Sequence, residues 1–153
     1  MRQPGRRHVV RLVVERVCDR LPDPAVGLTK YLTKAITDPL AATVAFDTYA
    51  DPHLWTPEEI DEPAMYLHRL IVRRPYAGLG TEILDWASAK AATLGKAWVR
   101  IDVWTDNTPL HRYYQRNGFQ HVRTLDSDYP SGALFQRPAN TTDWDGSGRL
   151  KEV

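Results

Sequence analysis

The stretch that most restricts the fold runs from Met65 to Trp104. MYLHRLIV, Met65 to Val72, is an apolar run of strand length, and it ends in the turn RRPYAGLG. Helical spacing follows at once, with Ile83, Leu84, Ala87, Ala91 and Leu94 on one stripe. That predicts a helix over 80–94, closed by Gly95 as the first residue past its cap. WVRIDVW, Trp98 to Trp104, is the next strand. Two strands joined through a long helix form a crossover unit. Its strands lie parallel in one sheet with a right-handed connection.

The flanking segments extend the sheet. LAATVAFDTYA, from Leu40, reads as a strand ended by Asp51-Pro52, and LWTPEEIDEPA as a polar, proline-punctuated connection. After Trp104, TDNTP supplies cap residues and a proline suited to a first helical position. LHRYYQRN is then a short helix stopped by Gly118. FQHVRTLD and GALFQRP read as closing strands, and the order implies an α/β fold. Upstream, Val9, Val10, Val13, Val14, Val17 and Leu21 recur at helical spacing although valine favours strands, so either element fits. LPDPAVG is a breaker, and LTKYLTKAI fits helix or strand. From Asn140, NTTDWDGSGRLKEV is polar. The expectation is one domain over 1–138, with 1–40 its least regular part, and a flexible polar tail over 139–153.

Composition narrows the function. Net charge is +1, which gives no electrostatic case for nucleic acid or an anionic membrane as partner. Cys18 stands alone, so no internal disulfide is expected and a reducing, cytoplasmic setting fits. No apolar run approaches the ~18 residues of a membrane span. The short apolar core of the arginine-rich start, VVRLVV, is interrupted at Arg11, and no small-residue cleavage site follows. The start reads as a surface helix or as an arm able to meet an acidic partner, not as a signal peptide. The five histidines and Cys18 show no ligand spacing, so no metal is expected.

A turn that delivers a strand into a helix presents unpaired N–H groups and the positive end of the helix dipole, which suits a phosphate. Two nucleotide motifs fail here. Thr81-Glu82 stands where a Walker loop needs Lys-Ser/Thr, and Ile83 stands where a dinucleotide fingerprint needs its third glycine.

The order of features over Leu70–Phe119 resembles the GNAT superfamily of acetyl-CoA-dependent N-acetyltransferases. The carrying residues are LIV, the PYAGLG turn, TEIL, WVRIDVW, Asn107, and YQRNGF beginning at Tyr114, seven positions after Asn107. LAATVAFDTYA and GALFQRP extend the match to Leu40–Pro138. The resemblance implies the GNAT fold: a mixed central sheet splayed between strands 65–72 and 98–104, helices on both faces, and an incomplete or atypical N-terminal part. In that family pantetheine pairs with the open strand edge and the pyrophosphate lies on the turn. The implied acetyl-CoA contacts are therefore Leu70, Ile71, Val72, Ala77, Gly78, Leu79, Gly80 and Thr81, with Arg73 and Arg74 adding charge. Pro75 departs from the pattern: it stands where the family has arginine or glutamine, and it has no N–H. The turn is also shorter than usual, so Arg74 either substitutes or leaves the cradle weak.

The implied reaction is attack of a neutral primary amine on an acyl thioester, without metal. Tyr114 holds the family position of the proton donor to the leaving thiolate, or is a packing residue. Asn107 either contacts CoA or caps the helix. In arylalkylamine acetyltransferases, histidines at the matching strand positions are implicated in proton removal. His68 is the corresponding base candidate, and period-two alternation puts it on one face with Leu70, Val72 and Tyr66. Asp47, Tyr49, Tyr66, Asp102 and Trp104 are candidate contacts to a cationic acceptor. The competing function is a CoA-binding module with weak or no catalysis. A homodimer is compatible with either.

Overall fold

A computed structural model describes residues 42–126, 128–146 and 150, so the readings made for residues 1–41 lie outside the described part. The described chain builds five strands and three α-helices: β1 (Ala42–Asp47), α1 (Pro57–Asp61), β2 (Ala64–Val72), α2 (Leu79–Thr93), β3 (Trp98–Val103), α3 (Thr108–Arg116), β4 (Gln120–Thr124) and β5 (Ala133–Pro138). A 3-10 turn, Arg74–Tyr76, links β2 to α2. The sheet order is β1-β2-β3-β5-β4. β2 and β3 run parallel, as the crossover requires, and the other neighbours are antiparallel. The sheet is therefore mixed.

Alternation along the strands gives the sheet two apolar faces. Ala42, Val44 and Phe46 of β1, Met65 and Leu67 of β2, and Val99, Ile101 and Val103 of β3 pack with α2 and with Tyr114 of α3. Phe46 meets Trp86 of α2 at 5.4 Å between ring centroids. On the other face Ala64, Tyr66 and Leu134 pack under Leu54 and Trp55, which precede α1. That segment, anticipated as a loop, contains a capping box. The Thr56 hydroxyl accepts from Glu59 N–H at 3.3 Å, and the Glu59 carboxylate accepts from Thr56 N–H at 2.9 Å.

Both long helices end in the same way. Gly95 has φ 72°, and Lys96 N–H donates to Ala91 O at 2.9 Å. Gly118 has φ 83°, and Phe119 N–H donates to Tyr114 O at 3.1 Å. These are Schellman ends, which need a residue free to adopt positive φ. The α2 stripe is wider than its periodicity suggests. Trp86 and Ser88 are wholly buried, while Leu94 is half exposed.

The segment after Pro138 was expected to be a flexible tail, and its described part is instead attached to the core. Ser88 Oγ lies 2.6 Å from Asp143 Oδ2 and accepts from Asn140 N–H at 3.1 Å. Arg137 donates to Asp85 and to Asp143. Trp144 and Leu150 join the main apolar cluster. The polarity of this stretch hid two apolar anchors and one carboxylate with a buried partner.

Candidate active site

β2 and β3 part company early. They pair only at Ala64–Trp98, Met65–Val99 and Tyr66–Arg100. Beyond that point β2 continues along β1 as far as Val72, and β3 continues along β5 as far as Val103. Leu67–Val72 therefore have no partner strand on their β3 side among the described residues, which leaves backbone N–H and C=O groups open to an extended ligand. This is the splay implied by the resemblance. The first half of β2 is buried, whereas Ile71 near its end is 62% exposed, because β3 has already turned away.

A bulge decides which side chains face the gap. Ala45 pairs with His68 and Thr43 with Ile71, so Arg69 and Leu70 together oppose Val44. Arg69 takes φ 53°, a conformation unusual for a residue with a side chain. The extra residue resets the alternation. Leu70 and Val72 pack toward the α2 core with Leu67, while His68 stays on the opposite face with Tyr66. The expected sharing of a face by His68, Leu70 and Val72 is thus corrected. Period two holds from Tyr66 to His68 and fails at Arg69.

On that opposite face His68 sits between two carboxylates. Its Nε2 is 3.4 Å from Asp47 Oδ1 of β1, and its Nδ1 is 3.9 Å from Asp102 Oδ1 of β3. Three strands thus place an imidazole between two acids across the mouth of the splay. Burial pushes the Asp102 carboxyl above the ordinary carboxylate range, with His68 acting in the opposite direction. Asp51 lies in the loop after β1. His53 N–H bonds its carboxylate and holds it below the usual range, and Tyr129 of the β4–β5 loop donates to it at 3.1 Å. Tyr129 had no sequence signal. Tyr49 and Trp104 are both substantially exposed near this side, at 49% and 62%.

Tyr66 does not face the opening. It is 3% exposed, its ring packs edge-on against Trp55, and its hydroxyl accepts from Arg100 at 3.1 Å. Arg100 is itself buried. It also donates to Glu59 O, Gln136 and Glu62, and lies 4.9 Å over the Trp55 ring. This pair pins the α1 segment to the sheet.

On the α2 side lie the turn and Tyr114. Gly78 caps α2 with φ 89°, so glycine is required there by conformation. By helix geometry the first-turn N–H groups of α2 lack intrahelical acceptors. Arg73 and Arg74 are exposed beside them. Gly80 is ordinary in conformation, but a β-carbon there would collide with the Tyr113 hydroxyl. Burial pushes the Tyr113 phenol above its ordinary value.

Tyr114 is 7% exposed and stacks edge-on with Tyr113 and Phe119. Burial, then the neighbouring Tyr113 and Asp102, pushes its phenol up to about 12. The influence of Asp102 relates the two sides of the sheet: Tyr114 belongs to the α2/α3 face and Asp102 to the other. Asn107 caps α3, its Oδ1 accepting from Leu110 N–H at 3.1 Å. Among the described residues no group of three His, Cys, Asp or Glu side chains is arranged to hold a metal. No described helix is long and apolar enough to cross a membrane.

Comparison with known proteins agrees with this geometry. The sequence model of the acetyltransferase (GNAT) family matches residues 7–119. An uncharacterized N-acetyltransferase of Bacillus subtilis, YesJ, is 36% identical over 81 residues, which is 52% of this chain and 44% of that protein. The match therefore spans less than half of that relative's length. A GNAT-family acetyltransferase structure from Listeria monocytogenes superposes with TM-score 0.56 at 24% identity, covering 67% of this chain and 59% of the other. One from Staphylococcus aureus gives 0.50 at 13%, covering 66% and 61%, so both show a shared fold. With the family model matching well over half of the chain, and the parted β2 and β3 that its fold requires, this chain belongs to the GNAT acetyltransferase family.

Proposed function

We propose that the protein transfers an acetyl group from acetyl-CoA to a primary amine. The observation that carries this reading is the parting of β2 and β3, with His68 and its two carboxylates on one face and Tyr114 on the other. The donor would lie along the open edge of Leu70–Val72, with its phosphates at Gly78, Leu79 and Thr81 near Arg73 and Arg74. The residues present fit that group at the strand edge and at Gly78, while the space over Gly80 is already taken by Tyr113.

The amine arrives protonated and must lose one proton before it can attack. His68 is the acceptor for it, and an imidazole that has taken up that proton is balanced by Asp47 and Asp102. Attack forms the C–N bond, and collapse of the tetrahedral intermediate breaks the C–S bond. Open N–H groups on β2 face the developing oxyanion. A second proton then leaves nitrogen and converts the thiolate to thiol.

The position of Tyr114 on the pKa scale sets how it takes part. A phenol near 12 facing a thiol near 8.5 would transfer its proton uphill by about 3.5 units, roughly 5 kcal/mol. Tyr114 therefore serves as a hydrogen-bond donor to the departing sulfur, and full transfer to it is disfavoured. The test is thiol release from acetyl-CoA over a panel of primary amines. Tyr114→Phe should lower kcat by ~10- to 100-fold and His68→Ala should lower kcat/KM by ~100-fold. Normal rates in both variants would refute the assignment. CoA binding without turnover on any amine would favour a CoA-binding module instead.

A further inference from the structure

Exposed apolar side chains are not spread evenly over this chain. Among the described residues six large ones are well exposed: Tyr49, Ile60, Ile71, Leu94, Trp104 and Tyr129. Ile60 lies in α1 and Leu94 caps α2, while the other four gather on the side of the sheet that carries His68. Ile71 stands between Leu70 and Val72, which pack toward the α2 core, so its side chain emerges on the His68 side. Trp104 follows Val103, which also enters that core, so alternation returns it to the Asp102 side. Each is 62% exposed, the most of the six, and one lies at each margin of the gap between β2 and β3. Tyr49 N–H donates to Asp47 at 2.9 Å, and the Tyr129 hydroxyl donates to Asp51 at 3.1 Å. Pro130 O accepts from Thr105 N–H at 2.9 Å, which holds the Tyr129 loop against the residue after Trp104.

Apolar surface left open at the margins of a reactive gap is surface that a ligand covers. The charge on this face suits only one end of that ligand. Asp47 and Asp102 flank His68, and among the described residues no Lys or Arg pairs with either, so they balance one ammonium. Asp51 already accepts from His53 N–H at 2.9 Å and from Tyr129, so its lone pairs are largely engaged. A second ammonium between Ile71 and Trp104 would lose part of its hydration and find no carboxylate on those side chains. A cation–π contact at so exposed an indole returns little of that loss.

We propose that the acceptor is a monoamine on an apolar body, its amine at His68 between Asp47 and Asp102 and its hydrocarbon part between Ile71 and Trp104, with Tyr49 and Tyr129 as the rim. The inference rests on the acetyl-transfer reading and names the substrate class of that same site.

Acetyl transfer to ethylamine, butylamine, hexylamine and 1,6-diaminohexane tests it, with thiol release as the readout. The three monoamines share one reactive group and differ in apolar length alone. Their kcat/KM should climb about 3- to 4-fold per methylene, or about 100-fold from ethylamine to hexylamine. The diamine, of the same length with a second charge, should fall about 10-fold or more below hexylamine. Trp104→Ala, at an exposed position, should lower kcat/KM for hexylamine about 10-fold, chiefly through KM, and leave ethylamine within about 2-fold. A flat series, a diamine used as well as hexylamine, or equal losses for hexylamine and ethylamine in Trp104→Ala overturns the assignment while acetyl transfer stands. Thiol release with no primary amine at all overturns the acetyl-transfer reading and this inference with it.

Discussion

Gly80→Ala offers a sharp structural test, because two explanations of this glycine predict different signs. Gly80 lies in the first turn of α2, where alanine gains up to about 1 kcal/mol from helix propensity and reduced unfolded-state freedom. Against this, the new methyl meets the Tyr113 hydroxyl at a separation no real β-carbon tolerates. The phenol must retreat, which strains its packing by roughly 1–3 kcal/mol. Gly80→Ala should thus destabilise the ligand-free chain by about 1–3 kcal/mol. In combination with Tyr113→Phe the obstruction is gone. The ring carbon and Val72 Cγ2 both lie 3.5 Å from the new methyl, an ordinary van der Waals contact, so the same substitution becomes neutral or stabilising. Urea denaturation of the four proteins gives the coupling, expected at about 2 kcal/mol, well above the ~0.5 kcal/mol typical of independent sites. Equal effects of Gly80→Ala in both backgrounds would refute the reasoning. They would return Gly80 to the role of clearing space for a ligand.

Two further outcomes follow from buried charge. Arg100→Leu removes the donor to Tyr66, Glu59 O and Gln136 and leaves their acceptors without it, so urea denaturation should show a loss of about 3–5 kcal/mol. Burial holds the Asp102 carboxyl above its unfolded value of 3.8, so its ionisation opposes folding: its contribution is favourable in acid and lost as pH rises through the folded-state titration. Asp102→Asn should therefore melt higher than the natural chain at pH 7. That advantage should vanish below the unfolded value, and acetyl transfer should fall at neutral pH because one of the two acids beside His68 is gone.

What was legible in the sequence is what local rules encode. The crossover unit, the glycine turn and the Gly95 and Gly118 stops are signalled by periodicity and by residues with restricted or unusual backbone preferences. The α1 capping box was also legible, as Thr56, Pro57 and Glu59, and was passed over because prolines on both sides suggested a loop. Other features had no local signal. The bulge at Arg69 places a long charged side chain at positive φ against its own preference, so only the pairing with β1 reveals it. The attachment of Asp143 and Trp144 was equally hidden, since Ser88 and Arg137 lie 55 and 6 residues away from Asp143. For the candidate site, residue types and most positions were readable. The assembly of His68 with Asp47 and Asp102 needed three strands in register.

Tyr114 shows why the motif that marks this family cannot by itself assign chemistry. In Tyr-x-x-x-Gly-Phe, Tyr114 and Phe119 occupy the two positions whose apolar contact accompanies a Schellman end. Gly118 supplies the positive φ, and the rings meet at 5.5 Å. Every element of the motif thus has a helix-ending role that needs the aromatic ring and not the hydroxyl. The hydroxyl is the only part of Tyr114 that this packing leaves unexplained, and burial keeps it protonated. Tyr114→Phe preserves the ring, the turn and the contact to Phe119 while deleting that one group. A loss of turnover at unchanged stability would thus isolate the chemical role from the structural one, whereas a larger truncation such as Tyr114→Ala would remove both.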